Sequence, residues 1–160
     1  MRHIDLICVG SLKEGYLREG IKEYQKRLGT LCKLEIVEMA EARLPREPSE
    51  REIEQAIGRE GDAICAQLLP NACKIAMCIE GKAMSSERLA SFLADAELSG
   101  KSRFQFVIGG SNGLSDAVKG ACDLKLSVSP MTFPHQLFRL MLIEQIYRAL
   151  MIRAGSRYHK

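Results

Sequence analysis

Patterns typical of strands and of helices alternate along this 160-residue sequence from one end to the other. Apolar or alternating segments predict strands over residues 3–10, 32–39, 74–80, 104–108 and 124–128. Apolar residues at helical spacing predict helices over about 11–28, 50–69, 86–99, 115–121 and 134–153. Regular alternation of this kind is typical of a sheet covered on both sides. The sequence therefore predicts an α/β fold, with a mostly parallel sheet and helices on both faces, and residues 1–160 as a single domain.

Capping residues mark several of the predicted helix starts. Ser49 and Glu52 have the spacing of a capping box, and one of the serines at 85–86 is placed to cap the next helix. Pro134 suits the first turn of the last helix, because an N–H there would have no partner within the helix. Residues 41–49 are charged and contain two prolines, which predicts a surface loop.

Composition argues against several classes of protein. No apolar run approaches the roughly 20 residues that a transmembrane helix needs. Asp5 lies within the first apolar segment, which predicts a strand and no signal peptide. The six cysteines form no C-x-x-C pair, which indicates apolar side chains in a reducing compartment and no metal site. We therefore expect a cytoplasmic protein without a membrane segment or a metal.

The last predicted helix is apolar on nearly all sides between Leu137 and Met151. One face of a sheet covers only a stripe of such a helix, so we expect a second subunit to cover the rest and predict a homodimer. Residues 134–160 carry a charge of +4, whereas the whole chain carries +3. A basic end on a neutral body is a modest indication of an anionic partner.

Three loops follow predicted strands at the position where ligands bind in open parallel sheets, beyond the carboxyl ends of the strands. They comprise residues 79–82, 108–113 and 128–135. The glycines of 108–113 either allow the backbone to approach a ligand or make a tight turn without one. The proline-bracketed 128–135 either binds a flat base such as adenine or is a rigid connector. The glycine spacing matches neither a dinucleotide fingerprint nor a phosphate loop, which argues against a dehydrogenase and an NTPase.

The chain ends in Tyr158, His159 and Lys160, which combine an aromatic ring, an imidazole and a cation. Groups of this kind stack on bases and bind phosphate, although a frayed terminus is the alternative. His135, at the start of the last helix, is expected either to order that turn or to contact a substrate.

Several motifs occur in order along the chain: Val9-Gly10, Glu23-Tyr24, Arg27-Leu28, Ile79-Glu80-Gly81-Lys82, Ser85-Ser86-Glu87, Ile108-Gly109-Gly110-Ser111-Asn112-Gly113-Leu114, Met131-Thr132-Phe133-Pro134-His135-Gln136, Leu142-Ile143-Glu144-Gln145-Ile146-Tyr147-Arg148-Ala149 and Tyr158-His159-Lys160. Together they closely resemble the RlmH family, the bacterial large-subunit ribosomal RNA pseudouridine-N3 methyltransferases of the SPOUT class. The likeness covers essentially the whole sequence, and so many motifs at matching spacing are highly specific.

This resemblance implies a C-terminal trefoil knot, a homodimer, and S-adenosylmethionine bound within the knot. The implied function is methylation of N3 of a pseudouridine in bacterial 23S ribosomal RNA, on the assembled ribosome. The cofactor contacts of the family carry over onto Met77, Gly109, Val128, Ser129, Pro130, Met131, Thr132 and Phe133. The sequence departs from the family at Ser11, where Lys is frequent and an RNA contact is in question. It departs also at Met77-Cys78, where Leu and an acidic residue are common, and this change leaves the cofactor wall apolar.

Methylation at N3 requires loss of a proton from a weakly acidic imino group, so we expect a base, or a cation that stabilises the anion. The catalytic candidates, among which the sequence does not choose, are His159, Tyr158 and Arg139. The residues expected to bind RNA are Arg153, Arg157, Lys160 and His135. The main alternative is a non-catalytic RNA- or ribosome-binding factor with the same fold, which would lack affinity for S-adenosylmethionine. A generic nucleotide-binding enzyme is a third option, disfavoured by the missing phosphate motifs.

Overall fold

The computed structural model describes all residues from Met1 to Lys160. Five strands and five helices alternate, as predicted: β1 (His3–Val9), α1 (Gly15–Leu28), β2 (Lys33–Met39), α2 (Glu50–Cys65), β3 (Cys73–Ala83), α3 (Ser86–Leu98), β4 (Arg103–Ile108), α4 (Asp116–Ala121), β5 (Leu124–Ser127) and α5 (His135–Arg153). No helix is long and apolar enough to cross a membrane.

The strands form one sheet in the order β2-β1-β4-β3-β5, and every neighbouring pair is parallel. All five carboxyl ends therefore lie at the same edge of the sheet, where ligands of such folds bind. The predicted α/β architecture is confirmed, and the sheet is parallel throughout.

Two apolar cores lie on opposite faces of the sheet, because successive strand residues point to opposite sides. Ile4, Leu6 and Cys8 of β1 belong to the larger core, together with residues of α1, α3 and α5. Ile7 and Val9 belong to the smaller core, with residues of α2 and α4. Helices therefore cover both faces, as predicted.

The helix starts agree with the capping residues of the sequence. Ser49 and Glu52 form both hydrogen bonds of the capping box at α2. Ser85 accepts a hydrogen bond from the backbone N–H of Arg88 at α3. Pro134 lies one position before α5, so it is the N-cap and not part of the first turn.

Two helices are shorter than predicted because side chains bind the backbone that would have extended them. The helix α2 ends at Cys65 instead of about 69. Beyond it, the buried side chain of Gln105 accepts a hydrogen bond from the Leu69 N–H (2.8 Å) and donates one to the Gln67 carbonyl (3.0 Å). Likewise α1 begins at Gly15 instead of 11, and Arg18 donates to the carbonyls of residues 12 and 13 just before it (3.1 and 2.9 Å).

The strand β3 carries an irregularity that brings β5 against two of its parts. Leu126 is in register with both Met77 and Lys82, so residues 78–81 arch out between these two pairings. A Cβ atom on Gly81 would lie 2.7 Å from the backbone of Leu126, so only glycine allows the two segments to come this close. The C-terminal trefoil knot that the family resemblance implies stays a prediction.

All six cysteines are free, and three of them are buried. Burial raises the pKa of the Cys8 thiol to about 12, so this side chain is protonated at neutral pH. The expectation of small apolar core residues is met by Cys8, Cys32 and Cys73.

Candidate functional site

A cavity of about 790 Å³ lies at the carboxyl ends of β3, β4 and β5. Residues of the three loops that the sequence indicated, together with neighbouring residues, line it: 77–80, 108–114, 126–129 and 131–135, with Lys119 and Phe138 from α4 and α5. A volume of this size is typical of sites for small molecules or cofactors.

The cavity accounts for several of the apolar side chains that the fold leaves exposed. Ile79, Val128 and Met131 are 53, 40 and 73% exposed, and all three line the cavity. Large apolar side chains facing solvent together are typical of a binding surface. Three apolar side chains around one opening are suited to pack against the faces of a flat ring.

The glycine-rich loop is held by its own backbone. Gly110 and Gly113 form an isolated bridge, and Gly113 has a φ of 83°, which favours glycine. A Cβ atom on Gly109 would lie 2.7 Å from the backbone carbonyl of Gly113. A side chain at position 109 would therefore force this turn to shift, whatever ligand the turn meets.

The loop after β5 is ordered by two serines. The Ser127 hydroxyl donates to the Ser129 carbonyl (3.1 Å), and the Ser129 hydroxyl accepts from the Met131 N–H (3.0 Å).

Seven of the eight expected cofactor residues line the cavity: Met77, Gly109, Val128, Ser129, Met131, Thr132 and Phe133. Of the eight, only Pro130 does not line it.

Two charged side chains, Glu80 and Lys119, line the cavity and form an ion pair. The hydrogen bond from Lys119 lowers the pKa of the Glu80 carboxyl, so both groups are charged at neutral pH. The sequence placed Glu80 in a candidate loop, but nothing in the sequence singled out Lys119, because a lysine on a short helix is usually solvated.

His135 and Arg139 lie in the first turns of α5. His135 lines the cavity, and its Nε2 atom is buried without a hydrogen-bond partner. Arg139 is 2% exposed and does not line this cavity. Its guanidinium pairs with Glu38 (2.6 Å) and donates to the Gly10 carbonyl (2.9 Å), so it braces the ends of β1 and β2.

The C-terminal residues fold back onto α5 and are not frayed. The Tyr158 ring packs edge-on against Tyr147 at 4.8 Å, and its hydroxyl donates to Glu144 (3.1 Å). Burial, together with hydrogen bonds to Tyr24 and Glu144, raises the pKa of Tyr158 to about 12. Tyr158 also packs against the larger core, so the alternative of a frayed terminus is wrong for this residue.

His159 lies between two charged side chains. Arg148 is 3.2 Å from its Nδ1 atom, and Glu87 is 2.7 Å from its Nε2 atom. Because a guanidinium only donates and a carboxylate only accepts, these partners indicate the neutral tautomer with its proton on Nε2. The hydrogen bond from His159 lowers the pKa of the Glu87 carboxyl.

Within one chain the tail and the 790 Å³ cavity are separate, since none of residues 156–160 lines that cavity. A second cavity, of about 620 Å³, is lined by Glu144, which binds Tyr158, and by Leu140 and Met141 of α5. Residues 126–129, at the end of β5 and just beyond it, line both cavities, as does Phe133.

The residues expected to bind RNA differ in their freedom to do so. Arg153 pairs with Glu97 at the ends of α5 and α3, and one of its terminal nitrogens is buried without a partner. Arg157 and Lys160 are exposed and form no ion pair. No group of three or more His, Cys, Asp or Glu side chains is placed to hold a metal ion.

Comparisons with known proteins agree on one family. Residues 2–159 match a family model described as "Predicted SPOUT methyltransferase". A Lactococcus lactis subsp. cremoris (strain SK11) protein named "Ribosomal RNA large subunit methyltransferase H" is 52% identical over 157 residues, 98% of this chain and 99% of that protein. A Clostridioides difficile (strain 630) protein of the same name is 48% identical over 158 residues, 99% of each chain.

A solved structure supports the fold alone. It is titled "The structure of a probable methylase family protein from Haemophilus influenzae Rd KW20", and it is similar with a TM-score of 0.52 at 12% identity. The similarity covers 98% of this chain and 70% of that one. Since the family model spans nearly every residue and the parallel α/β fold agrees with it, the chain belongs to the SPOUT methyltransferase family.

Proposed function

We propose that this protein methylates large-subunit ribosomal RNA, with S-adenosylmethionine as the methyl donor. The observation that carries the proposal is identity of 48–52% over almost the whole of relatives named for that activity. The match covers 99% of each of those relatives. The finer substrate, N3 of a pseudouridine in 23S ribosomal RNA on the assembled ribosome, follows the family resemblance of the motifs.

The 790 Å³ cavity fits S-adenosylmethionine by its chemistry. Exposed apolar side chains suit the adenine, and the loops at 108–113 and 128–133 offer backbone groups around it. No charged residue occurs from 128 to 133, so that loop places no cation near a positive sulfur. When bound, the cofactor supplies an electrophilic methyl group, and Met77, Gly109 and the run Val128–Phe133 are the residues that we propose to hold it.

Among the catalytic candidates we propose His159 as the proton acceptor. Its Nδ1 atom carries no proton in the arrangement with Arg148 and Glu87, so it becomes available once Arg148 turns away. Tyr158, with its raised pKa, is protonated at neutral pH and therefore acts as a donor or a stacking face, not as a base. The burial of Arg139 favours a bracing role.

We propose that the protein acts in the cytoplasm, where ribosomes lie, as a homodimer of single-domain chains. The second cavity leaves Leu140 and Met141 beside an open groove on α5, and a second copy of this helix is a suitable cover. Arg157, Lys160 and His135 are proposed RNA contacts, whereas the ion pair of Arg153 makes it a weaker one. Sedimentation at micromolar concentration tests the dimer, and a monomer there would contradict it.

Two measurements test the proposed function. Mass spectrometry of large-subunit ribosomal RNA from cells with and without this protein should show one methylated pseudouridine lost in its absence. Calorimetric titration should show binding of S-adenosylmethionine by the purified protein. Absence of both results would favour the alternative, a non-catalytic ribosome-binding factor.

A matched pair of glycine variants tests the location of the cofactor. Gly109→Ala forces the glycine-rich loop to shift, whereas the Cβ atom of Gly120→Ala meets nothing within 4 Å. We expect the first variant to fold and to bind S-adenosylmethionine at least about tenfold more weakly. A loss of that size corresponds to the free energy of about one hydrogen bond. The second should bind normally. Unchanged affinity in a folded Gly109→Ala protein would remove this loop from the site.

A further inference from the structure

Glu80 and Lys119 are placed where a ligand with two opposite charges would be recognised. Apart from the titratable His135, they are the only charged side chains that line the 790 Å³ cavity. Glu80 belongs to the arch after the first part of β3, and Lys119 belongs to α4, so each comes from a separate element. The side chain of Lys119 is 21% exposed and that of Glu80 is 56% exposed.

We propose that this pair binds the amino-acid end of S-adenosylmethionine. Lys119 donates to its α-carboxylate, and the Glu80 carboxylate accepts from its α-ammonium group. The inference rests on the proposed function and extends it to two residues outside the glycine-rich loop and the loop after β5.

Charge and solvation favour this assignment. The amino-acid end carries one positive and one negative charge, and elsewhere the cavity offers only apolar side chains, hydroxyls, an amide, the Cys78 thiol and backbone groups besides His135. A partly exposed ion pair contributes little to stability, so exchanging one partner for a ligand costs little. The ligand would then form two charge-assisted hydrogen bonds, which are stronger than bonds between neutral groups.

The pair also keeps the net charge of the cavity near zero. A lysine alone would repel the positive sulfur, and a glutamate alone would attract cations without regard to shape. Because the lowered pKa of Glu80 keeps its carboxylate ionised, the two charges balance at neutral pH.

Two ligands that differ only in the amino-acid end test the proposal. S-adenosylhomocysteine has that end, whereas 5′-methylthioadenosine keeps the adenine, the ribose and a neutral sulfur without it. In calorimetric titration of the full-length protein, Lys119→Gln should weaken S-adenosylhomocysteine by roughly tenfold to a hundredfold, the loss expected for one charge-assisted bond. Its affinity for 5′-methylthioadenosine should equal that of the wild type. Lys22→Gln, at an exposed lysine on α1 outside the cavity, is the matched control and should change neither affinity.

Glu80→Gln separates the amino-acid end from the ribose. If Glu80 binds the α-ammonium group, this variant weakens S-adenosylhomocysteine alone. Equal weakening of both ligands would mean that the carboxylate binds the ribose, and it would overturn the assignment of Glu80. If neither variant changes the ratio of the affinities for S-adenosylhomocysteine and 5′-methylthioadenosine, the whole inference is overturned, while the proposed function is left intact. A wild-type protein that binds neither S-adenosylmethionine nor S-adenosylhomocysteine would overturn both.

Discussion

The environment of Arg139 decides whether this residue supports the fold or takes part in catalysis. Its guanidinium joins the Glu38 carboxylate to the Gly10 carbonyl from a position with 2% exposure. We expect Arg139→Met to lower the free energy of unfolding by about 2 kcal/mol, because two partly buried hydrogen bonds of a buried guanidinium are lost. Arg157→Met, at an exposed position, should stay within about 0.5 kcal/mol of the wild type. Urea denaturation measures both. An Arg139→Met protein of normal stability but no activity would return this residue to catalysis.

Glu97 makes stability depend on pH. Hydrogen bonds from Arg153 and Arg2 lower its pKa to about 2, well below the value of an unfolded chain. A lowered pKa stabilises the fold above the unfolded value, near 4.5, and the contribution is lost as the pH falls towards 2. At pH 7, Glu97→Gln should cost about 1 kcal/mol after allowance for solvent screening.

Urea denaturation of both proteins between pH 7 and pH 3 measures the effect of Glu97. The difference between wild type and Glu97→Gln should shrink as the pH falls, because the wild-type carboxyl becomes neutral like the amide. A difference that stays constant over this range would show that the ion pairs with Arg2 and Arg153 contribute nothing.

Residue roles were predictable from the sequence where they are local. Ser49 and Glu52 lie three positions apart, and their spacing alone specifies the capping box. Arg139 and Glu38 are 101 positions apart, so no local pattern could reveal that Arg139 is buried and paired. The fold-back of Tyr158 onto Tyr147 depends equally on tertiary packing.

The helix α2 offers a matched test of packing between elements. Gly61 lies against Ser115, the N-cap of α4, and a Cβ atom there would collide with the serine side chain. A Cβ atom on Gly58, one turn earlier, would meet nothing within 4 Å. We expect Gly58→Ala to stabilise the protein by about 0.5–1 kcal/mol through helix propensity. Gly61→Ala should destabilise it by about 1–3 kcal/mol through overpacking. Thermal unfolding of the two variants measures this contrast, and equal shifts would contradict the close contact.

The order of the strands and helices was predictable because each segment has its own periodicity. The exact ends of two helices were not predictable. The end of α2 depends on Gln105, a residue of β4 that lies 36 positions beyond Leu69. The start of α1 depends on Arg18, whose bonds to carbonyls before the helix compete with helical ones. Side chains that replace the backbone partners of a helix act through the tertiary fold, so periodicity does not report them.

For the whole molecule, the position of the cavity was predictable from topology and its charges were not. A parallel sheet brings all loops after its strands to one edge, so residues 79–82, 108–113 and 128–135 had to lie near one another. Lys119 enters the cavity from the packing of α4, for which the sequence has no signal. The dimer and the knot depend on contacts beyond any local pattern, and they stay predictions.

The separation of the tail from the cavity leads to a prediction about the assembled molecule. Tyr158 and His159 contact α5 and Glu87, and neither lines the cavity of their own chain. If the tail completes the site of the neighbouring subunit, two inactive variants should complement each other. In a mixed dimer of Gly109→Val and His159→Ala, one site combines the intact cavity of one chain with the intact tail of the other.

Random pairing of equal amounts makes about half of the dimers mixed, so activity should return to about a quarter of the wild-type value. His159→Ala is preferable to deletion of the tail, because Tyr158 packs against the core and its loss would disturb folding. Each variant alone, at the same total concentration, is the control. Methyl transfer to ribosomes measures the recovery, and sedimentation with one tagged variant verifies that mixed dimers form. A mixture that forms such dimers and remains inactive would show that the tail acts at the site of its own chain. His159 would then have to break its contacts with Arg148 and Glu87 to reach the cavity.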